Sequence, residues 1–322
     1  MASRLESLIL RASGAAQVTL GRRLASLWGG YGELWRAELV LPAGKSSVIV
    51  KHVQPPPGPG DRSHQRKLRS YAVEQAFYQQ YAARCVGPPS CRVPRPLGVL
   101  AEAGGWLFVL EDLTKSGFAR RHSRADPVDI AAGLRWLAGF HARFLGSAPD
   151  TLWPTGTYWH LATRPDELPR VPNRALRDAA PHIDRALEDA HFKTLVHGDA
   201  KLENVCFADA GDAAALVDFQ YVGGGVGVKD VAYFLSSCVP AERCEKRVPD
   251  FLDLYFVELQ RAVSTAAPST DFARLEREWR ALFPLAWVDY YRFLVGWVEG
   301  ELAPEPYSEL LTEQVLRDLK LD

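Results

Sequence analysis

The sequence predicts an α+β protein of two lobes, a small β-rich N-terminal lobe with one main helix and a larger, mostly helical C-terminal lobe. Three observations carry this expectation. Strand-like segments crowd the first 112 residues around a single helix-forming stretch, and helical apolar spacing dominates most of the remaining chain. The length of 322 residues exceeds one average domain and leaves ample chain for a sizeable core. A hydrophobic content of 47% with 24% charged residues describes a soluble globular chain. The formal net charge of −1 supplies no field for drawing in nucleic acid or an anionic membrane, so neither is expected as a partner.

At the N-terminus, MASRLESLILRAS carries Glu6 and the helical spacing of Leu5, Leu8 and Ile9, which favours an ordinary terminal helix over a transit peptide. Residues 17–41 come next as strand, glycine turn and strand, with Trp28, Gly29, Gly30, Tyr31, Gly32 and Glu33 in the turn. Glycines there let backbone amides approach phosphates closely, although the run departs from GxGxxG. A strand over 47–53 sets Lys51 on one face with Ile49 and Val53, and a lysine among apolar neighbours needs an anionic partner or a solvent-facing edge. PPPGPGDRS at 55–63 is a loop, and a helix over 65–84 carries Glu74 between Tyr71 and Tyr78, where it can reach back to Lys51.

Two more strands are expected over 97–100 and 106–110, directly before Glu111, Asp112 and Leu113, so the boundary falls near 112, giving lobes 1–112 and 113–322. Asp126 and Pro127 make a strong helix start. Ile130, Leu134, Leu137, His141 and Phe144 line one face of that helix, which makes His141 a satisfied core histidine. Residues 150–171 are irregular, Gly223, Gly224, Gly225 and Gly227 suggest a flexible loop, Asp230 opens a helix, and three or four helices are expected from 248 onward.

The chemistry is concentrated in LVHGDAKLEN at 195–204 and VDFQ at 217–220. Val205, Cys206, Phe207 and residues 214–217 flank Asp209, Ala210, Gly211 and Asp212 as a β-hairpin. Centred on Gly211, it puts Asn204 opposite Asp218, and an amide oxygen with a carboxylate suits a hard cation. Asp199, outside the hairpin, stays free to act as a base. Turn-making Asp and Asn side chains account for any one of the three, but not for the set. HGDAKLEN also keeps the Asp-to-Asn interval of HRDxxxxN, in which protein kinases use the Asp to deprotonate the acceptor hydroxyl and the Asn to hold Mg²⁺.

On these residues the chain resembles the aminoglycoside phosphotransferase and choline kinase superfamily, within the bilobal protein-kinase-like fold. The resemblance runs from the glycine turn to the helix after Asp230. Gln220 in DFQ, LEDL at 110–113 and DVAYFL at 230–235 are most similar to the ecdysteroid-kinase-like, or CHK-kinase-like, branch; choline kinases usually show Glu where Gln220 stands. The resemblance implies ATP and Mg²⁺ as cofactors, Asp199 as base, Asn204 and Asp218 as Mg²⁺ ligands, and Lys51 with Glu74 on the ATP phosphates. It further implies Gly29, Gly30 and Gly32 at the nucleotide, Glu111 and Leu113 at an adenine-binding hinge, and His197 and Asp230 bracing the catalytic loop. Lys201 matches a lysine that neutralises the transferred phosphate in many protein kinases and is absent from many small-molecule kinases.

The function expected is an ATP-dependent kinase acting on a small-molecule hydroxyl, without an obligate protein partner. A protein kinase would need an activation segment ending in an APE-like motif, and only a short glycine run separates Asp218 from Asp230. A choline or ethanolamine kinase is the alternative, as is a catalytically silent nucleotide-binding scaffold, although pseudokinases commonly lose a base, metal aspartate or lysine that is present here. Five cysteines without a CxxC pair fit reduced thiols and a cytoplasmic location, and no apolar run reaches membrane-spanning length. For the acceptor, Trp287, Tyr291, Leu294 and Val298 form a core-facing stripe, and some of Tyr290, Trp297, Trp153 and Trp159, which lie off it, are expected to wall a largely apolar pocket for a steroid-like or other amphipathic alcohol.

Overall fold

Five antiparallel strands in the order β1-β2-β3-β5-β4 form the N-terminal part of a computed structural model that describes residues 3–58, 60–102, 104–300 and 303–319. They are β1 (Gln17–Ser26), β2 (Gly32–Leu41), β3 (Gly44–Val53), β4 (Pro96–Glu102) and β5 (Gly105–Glu111). Strand alternation sends Leu39, Val48, Val50, Leu107 and Val109 to one face, where Ile9 of α1 (Arg4–Ser13) seals them. Helix α1 is the terminal helix that the Leu and Ile spacing predicts, fixed by a capping box in which Ser3 and Glu6 exchange backbone-to-side-chain bonds.

The opposite face packs Val53 and Phe108 against Tyr71, Val73 and Phe77. Helix α2 (Arg62–Ala76) starts three residues earlier than the apolar spacing suggests, because Asp61 accepts the His64 N–H at 2.8 Å. It runs without a break into a π turn (Phe77–Tyr81) and a 3₁₀ turn (Ala82–Cys85).

Beyond residue 112 the structure is mostly helical. Helix α3 (Pro127–Arg143), capped by Asp126 as expected, packs along α6 (Ala241–Ala266), while α5 (Val228–Cys238), α4 (Arg174–Glu188) and α8 (Pro306–Asp318) pack on α7 (Phe272–Trp297). His141 is fully buried and satisfied, its Nδ1 2.8 Å from the Tyr255 hydroxyl and its Nε2 3.1 Å from Asp230. Helix α4 has a clear apolar spacing in Leu176, Ile183 and Leu187 that its internal Pro181 obscures. Helix α6 begins at Ala241, before the expected 248.

Two short ladders hold the loops between these helices: β6 (Thr194–Val196) with β9 (Gly223–Gly225), and β7 (Val205–Phe207) with β8 (Ala214–Leu216). The glycine run is therefore an ordered strand rather than a flexible loop. Its glycines admit a crossing backbone, since a Cβ on Gly223 would lie 2.2 Å from the Trp153 carbonyl oxygen and one on Gly224 2.6 Å from that of Pro154. The β7–β8 register pairs Val205 with Leu216, so Asn204 faces Val217 rather than Asp218. The Ala208 N–H bonds to the Ala213 carbonyl around a four-residue loop, which centres the hairpin between Ala210 and Gly211 instead of on Gly211. All five cysteines are free and buried, and among the described residues no helix is long and apolar enough to cross a membrane.

Candidate active site

Between the sheet and the helical half lies a cleft of about 590 Å³. Leu27, Leu34 and Ile49 roof it, Cys206 and Val217 floor it, and Leu110, Glu111, Asp112 and Leu113 close one side. Lys51, Glu74, Asn204 and Asp218, which are distant in sequence, all line it. The apolar walls suit a flat aromatic ring, and the charged end suits phosphates.

Lys51 projects from β3 into this charged end, 2.7 Å from Glu74 Oε2 and 3.1 Å from Asp218 Oδ1. Burial works against the ammonium, yet Asp218 and Glu74 together outweigh it and hold the lysine charged well above its usual range. Burial pushes Glu74 up to about 7 despite Lys51 beside it, while Asp218, also opposed by burial, is held below the ordinary aspartate range chiefly by Lys51. Removing either member of the Lys51–Glu74 pair strands the other in a low-dielectric pocket. A double-mutant cycle of Lys51→Met and Glu74→Gln, read by chemical denaturation, is expected to show a coupling of roughly 0.5–3 kcal/mol, whereas additive effects would mean that the two act separately.

A left-handed φ of 71° at Asp218 turns the chain out of the hairpin and brings this carboxylate to Lys51 despite the shifted register. Gln220 Nε2 also donates to Asp218 Oδ1, at 2.8 Å, and its own Oε1 accepts from Ser70 of α2 at 3.0 Å. Both of these contacts to Asp218 therefore fall on Oδ1. Sequence reasoning assigns Gln220 no such job; its spacing of two residues from an aspartate is the available signal. Phe219 stacks on Phe77 with ring centroids 3.8 Å apart.

Asp199 sits on a loop held from behind by Asp230. The His197 and Gly198 backbone N–H groups donate to the two Asp230 oxygens at 2.6 and 2.9 Å, and neutral His197, its pKa lowered by burial, bridges the Val217 carbonyl and the Asp199 N–H. Thus His197 and Asp230 brace the loop. Asn204 Nδ2 donates to the Asp199 carbonyl at 2.8 Å and to its Oδ2 at 2.9 Å, while Lys201 Nζ lies 3.6 Å from Oδ2. Asp199 Oδ1 is buried without a hydrogen-bond partner. Burial, opposed by Lys201, pushes this carboxyl up to about 7.

The remaining expected positions divide. Leu113 is buried at the cleft, and Glu111 turns its side chain away to Arg92 and Ser116. Gly29, Gly30 and Gly32 lie outside the cleft lining: their turn leans toward α2, where Lys67 sits over the Trp28 and Tyr31 rings at 5.2 and 4.4 Å. Gly32 is required by the sheet itself, since at its φ of 136° a Cβ would lie 2.0 Å from the His52 carbonyl oxygen.

Of the aromatic residues expected to wall an acceptor pocket, Tyr290 joins Tyr158, Tyr233 and Phe293 in one cluster. Asp199 bears electrostatically on the phenols of Tyr158, Tyr233 and Tyr290, and the Tyr158 N–H donates to the Gly198 carbonyl at 2.8 Å. Trp159 is fully buried against Tyr233 and Tyr290, so it backs the cluster rather than walling a pocket. Trp153 instead stacks on Tyr221, and Trp297 is 45% exposed over Phe293. Trp287 is buried as expected of the core stripe, but Val298 lies beyond the end of α7.

The sequence profile of the phosphotransferase enzyme family (APH) matches residues 43–268, more than half of the chain. No curated protein matches the chain in sequence. Among solved structures, a microcompartment-associated aminopropanol kinase superposes with a TM-score of 0.53 at 14% identity, covering 97% of this chain and 93% of that one. A Plasmodium vivax ethanolamine kinase superposes with a TM-score of 0.51 at 11% identity, covering 92% of this chain and 82% of that one. At these identities the likeness is one of fold, and the fold is protein-kinase-like.

Proposed function

This chain belongs to the phosphotransferase enzyme family, and from that premise we propose that it transfers the γ-phosphate of ATP, with Mg²⁺, to a hydroxyl of a small molecule. The observation that carries the reading is the convergence of Lys51, Glu74 and Asp218 at the charged end of one cleft, with Asn204 linking that end to Asp199. In this reading Asp199 accepts the acceptor's proton as its oxygen attacks the γ-phosphorus and the bond to the bridging β–γ oxygen breaks, leaving ADP. Lys51, fixed by Glu74, positions the phosphates, and Lys201 offsets charge on the group in transfer. Glu111 and Leu113 offer backbone groups to adenine. The lobe boundary falls at 112, with the nucleotide held largely by residues before it.

The donor set suits a hard cation. Asn204 spends its Nδ2 on Asp199, which leaves the amide oxygen available, and the hydrogen bonds to Asp218 from Lys51 and Gln220 leave Oδ2 available. Asn204 and Asp218 would hold Mg²⁺ there, which would supply neutralisation of the phosphate charge.

For the acceptor we favour an amphipathic alcohol of the steroid type, as in the ecdysteroid-kinase-like branch. The phenols of Tyr158, Tyr233 and Tyr290 feel the charge of Asp199, Arg164 already covers the Tyr158 ring at 5.0 Å, and Asp289 in this region is paired with Arg292 and Lys229. Among the described residues, the acids that bear on these rings are Asp199, Glu203 and Glu305, fewer than the dense carboxylate cluster that would hold a polycationic aminoglycoside. The second reading is a choline- or ethanolamine-like amino alcohol, because tyrosine faces attract quaternary ammonium groups without carboxylates; the named activities of the two fold relatives point the same way. Incubating the protein with Mg·ATP and a panel of sterols, amino alcohols and aminoglycosides is expected to give an Asp199-dependent phosphate mass gain on a sterol alcohol. Phosphate on amino alcohols alone would replace the first reading with the second, and phosphate on aminoglycosides or peptides alone would overturn both.

A further inference from the structure

A second cluster of ligating side chains lies outside the cleft, where the irregular segment after α3 crosses α4. His160 Nε2 is 3.2 Å from Asp184 Oδ1 and 3.9 Å from Glu188 Oε1, and the three ligating atoms all lie within 4.8 Å of one another. Asp184 and Glu188 stand four residues apart, one turn along the same face of the helix. The His160 side chain is only 8% exposed.

Two features separate this cluster from an ordinary ion pair. Although Nε2 and Asp184 Oδ1 are buried and 3.2 Å apart, neither has a hydrogen-bond partner, so their mutual direction is wrong for a shared proton. Two lone-pair donors facing in this way are reconciled by a cation between them. Ligands at about 2.0–2.2 Å around a tetrahedral zinc stand about 3.4 Å apart, close to the separation observed. Moreover, among the described residues neither Asp184 nor Glu188 pairs with a lysine or arginine: nearby Lys229 is given to Asp289, and Lys193 to the Glu188 carbonyl.

We propose that His160, Asp184 and Glu188 bind one divalent ion of the zinc class, with a fourth position open to water. One imidazole and two carboxylates suit a borderline metal. The outer contacts fit as well: Thr155 Oγ1 donates to Glu188 Oε1 at 3.1 Å, and His160 Nδ1 lies 3.5 Å from Thr163 Oγ1. A cavity of about 210 Å³ reaches the two carboxylates, lined by Thr155, Asp184 and Glu188 together with Lys193 and Lys229, while His160 lies outside its lining. The metal would pin the segment carrying Tyr158 and Trp159 to α4, independently of which acceptor is phosphorylated.

The test uses the full chain, stripped with chelator and free of nucleotide, titrated with ZnCl₂ by calorimetry and followed by thermal unfolding. One equivalent is expected to bind and to raise the melting temperature. Binding should be lost in His160→Ala and weakened at least roughly tenfold in Glu188→Gln, whose half-exposed carboxylate can be changed without disturbing the core. X-ray absorption should show nitrogen and oxygen ligands without sulfur. Absence of a stoichiometric site, zinc binding that both variants retain, or sulfur in the coordination shell would each overturn the proposal.

Discussion

Replacing Asp199 with Asn is expected to leave nucleotide binding intact and to lower turnover roughly 10²- to 10⁴-fold, the range for a positioned proton acceptor. The substitution is nearly isosteric. The Asp199 carbonyl keeps its bond from Asn204, and the loop keeps its Asp230 brace, so the loss is confined to the basicity of one carboxyl. Because burial raises that carboxyl to about 7, wild-type turnover should climb as pH rises through about 7 and level off above it. Stability should move the other way. The folded state holds this proton where the unfolded chain has released it, so the contribution of Asp199 to stability is full below about pH 4 and is lost as pH rises toward 7. Asp199→Asn should therefore melt higher than wild type above neutrality and equally in acid. Steady-state kinetics beside a melting series across pH separates the two effects, and wild-type turnover in the variant would remove Asp199 from the role.

Asp218→Ala should abolish Mg²⁺-dependent nucleotide binding. The side chain has no substitute at the charged end of the cleft: Glu74 is nearly fully buried behind Lys51, and Asn204 offers only a neutral oxygen. Lys51 keeps Glu74 after the change, so the fold is expected to survive, which circular dichroism can check. Calorimetry of Mg·ATP against metal-free ATP is the decisive measurement, since the carboxylate serves the metal-bridged nucleotide specifically. An unchanged Mg·ATP affinity would contradict the assignment.

How much of this is legible in the sequence varies with the range of the interaction involved. Lys51 and Glu74 can be paired from sequence because an apolar strand forces a lysine to find an anion, and the next helix carries a glutamate on its inner face. Asp199 and Asn204 keep a fixed interval along the chain. The hairpin register differs by one residue from the expected one, since a loop of four residues has its centre between two of them, and only the unusual φ of Asp218 restores the site. The glycine strand escapes local reading because its glycines answer to Trp153 and Pro154, some seventy residues away, a cause that no local pattern displays. The turn around Gly29 and Gly30 reads locally as a phosphate cradle, whereas its position depends on Lys67 and Tyr31 packing together. The aromatic cluster beside Asp199 is legible in part: helical spacing singles out Tyr290, but Tyr233 and Tyr158 come from a different helix and an irregular segment.

Helix α2 and the π turn that continues it are fastened to the segment around Asp218 at three heights, through Glu74 to Lys51 and Asp218, through Ser70 to Gln220, and through the stack of Phe77 on Phe219. Protein kinases regulate themselves by swinging the corresponding helix away until phosphorylation of a loop draws it back. Here the helix would have to break a buried ion pair, a half-buried amide bridge and an aromatic stack together to reach such a latent position. For the proposed activity, unphosphorylated protein is therefore expected to work at its full rate, and a rise in turnover on phosphorylation would contradict that.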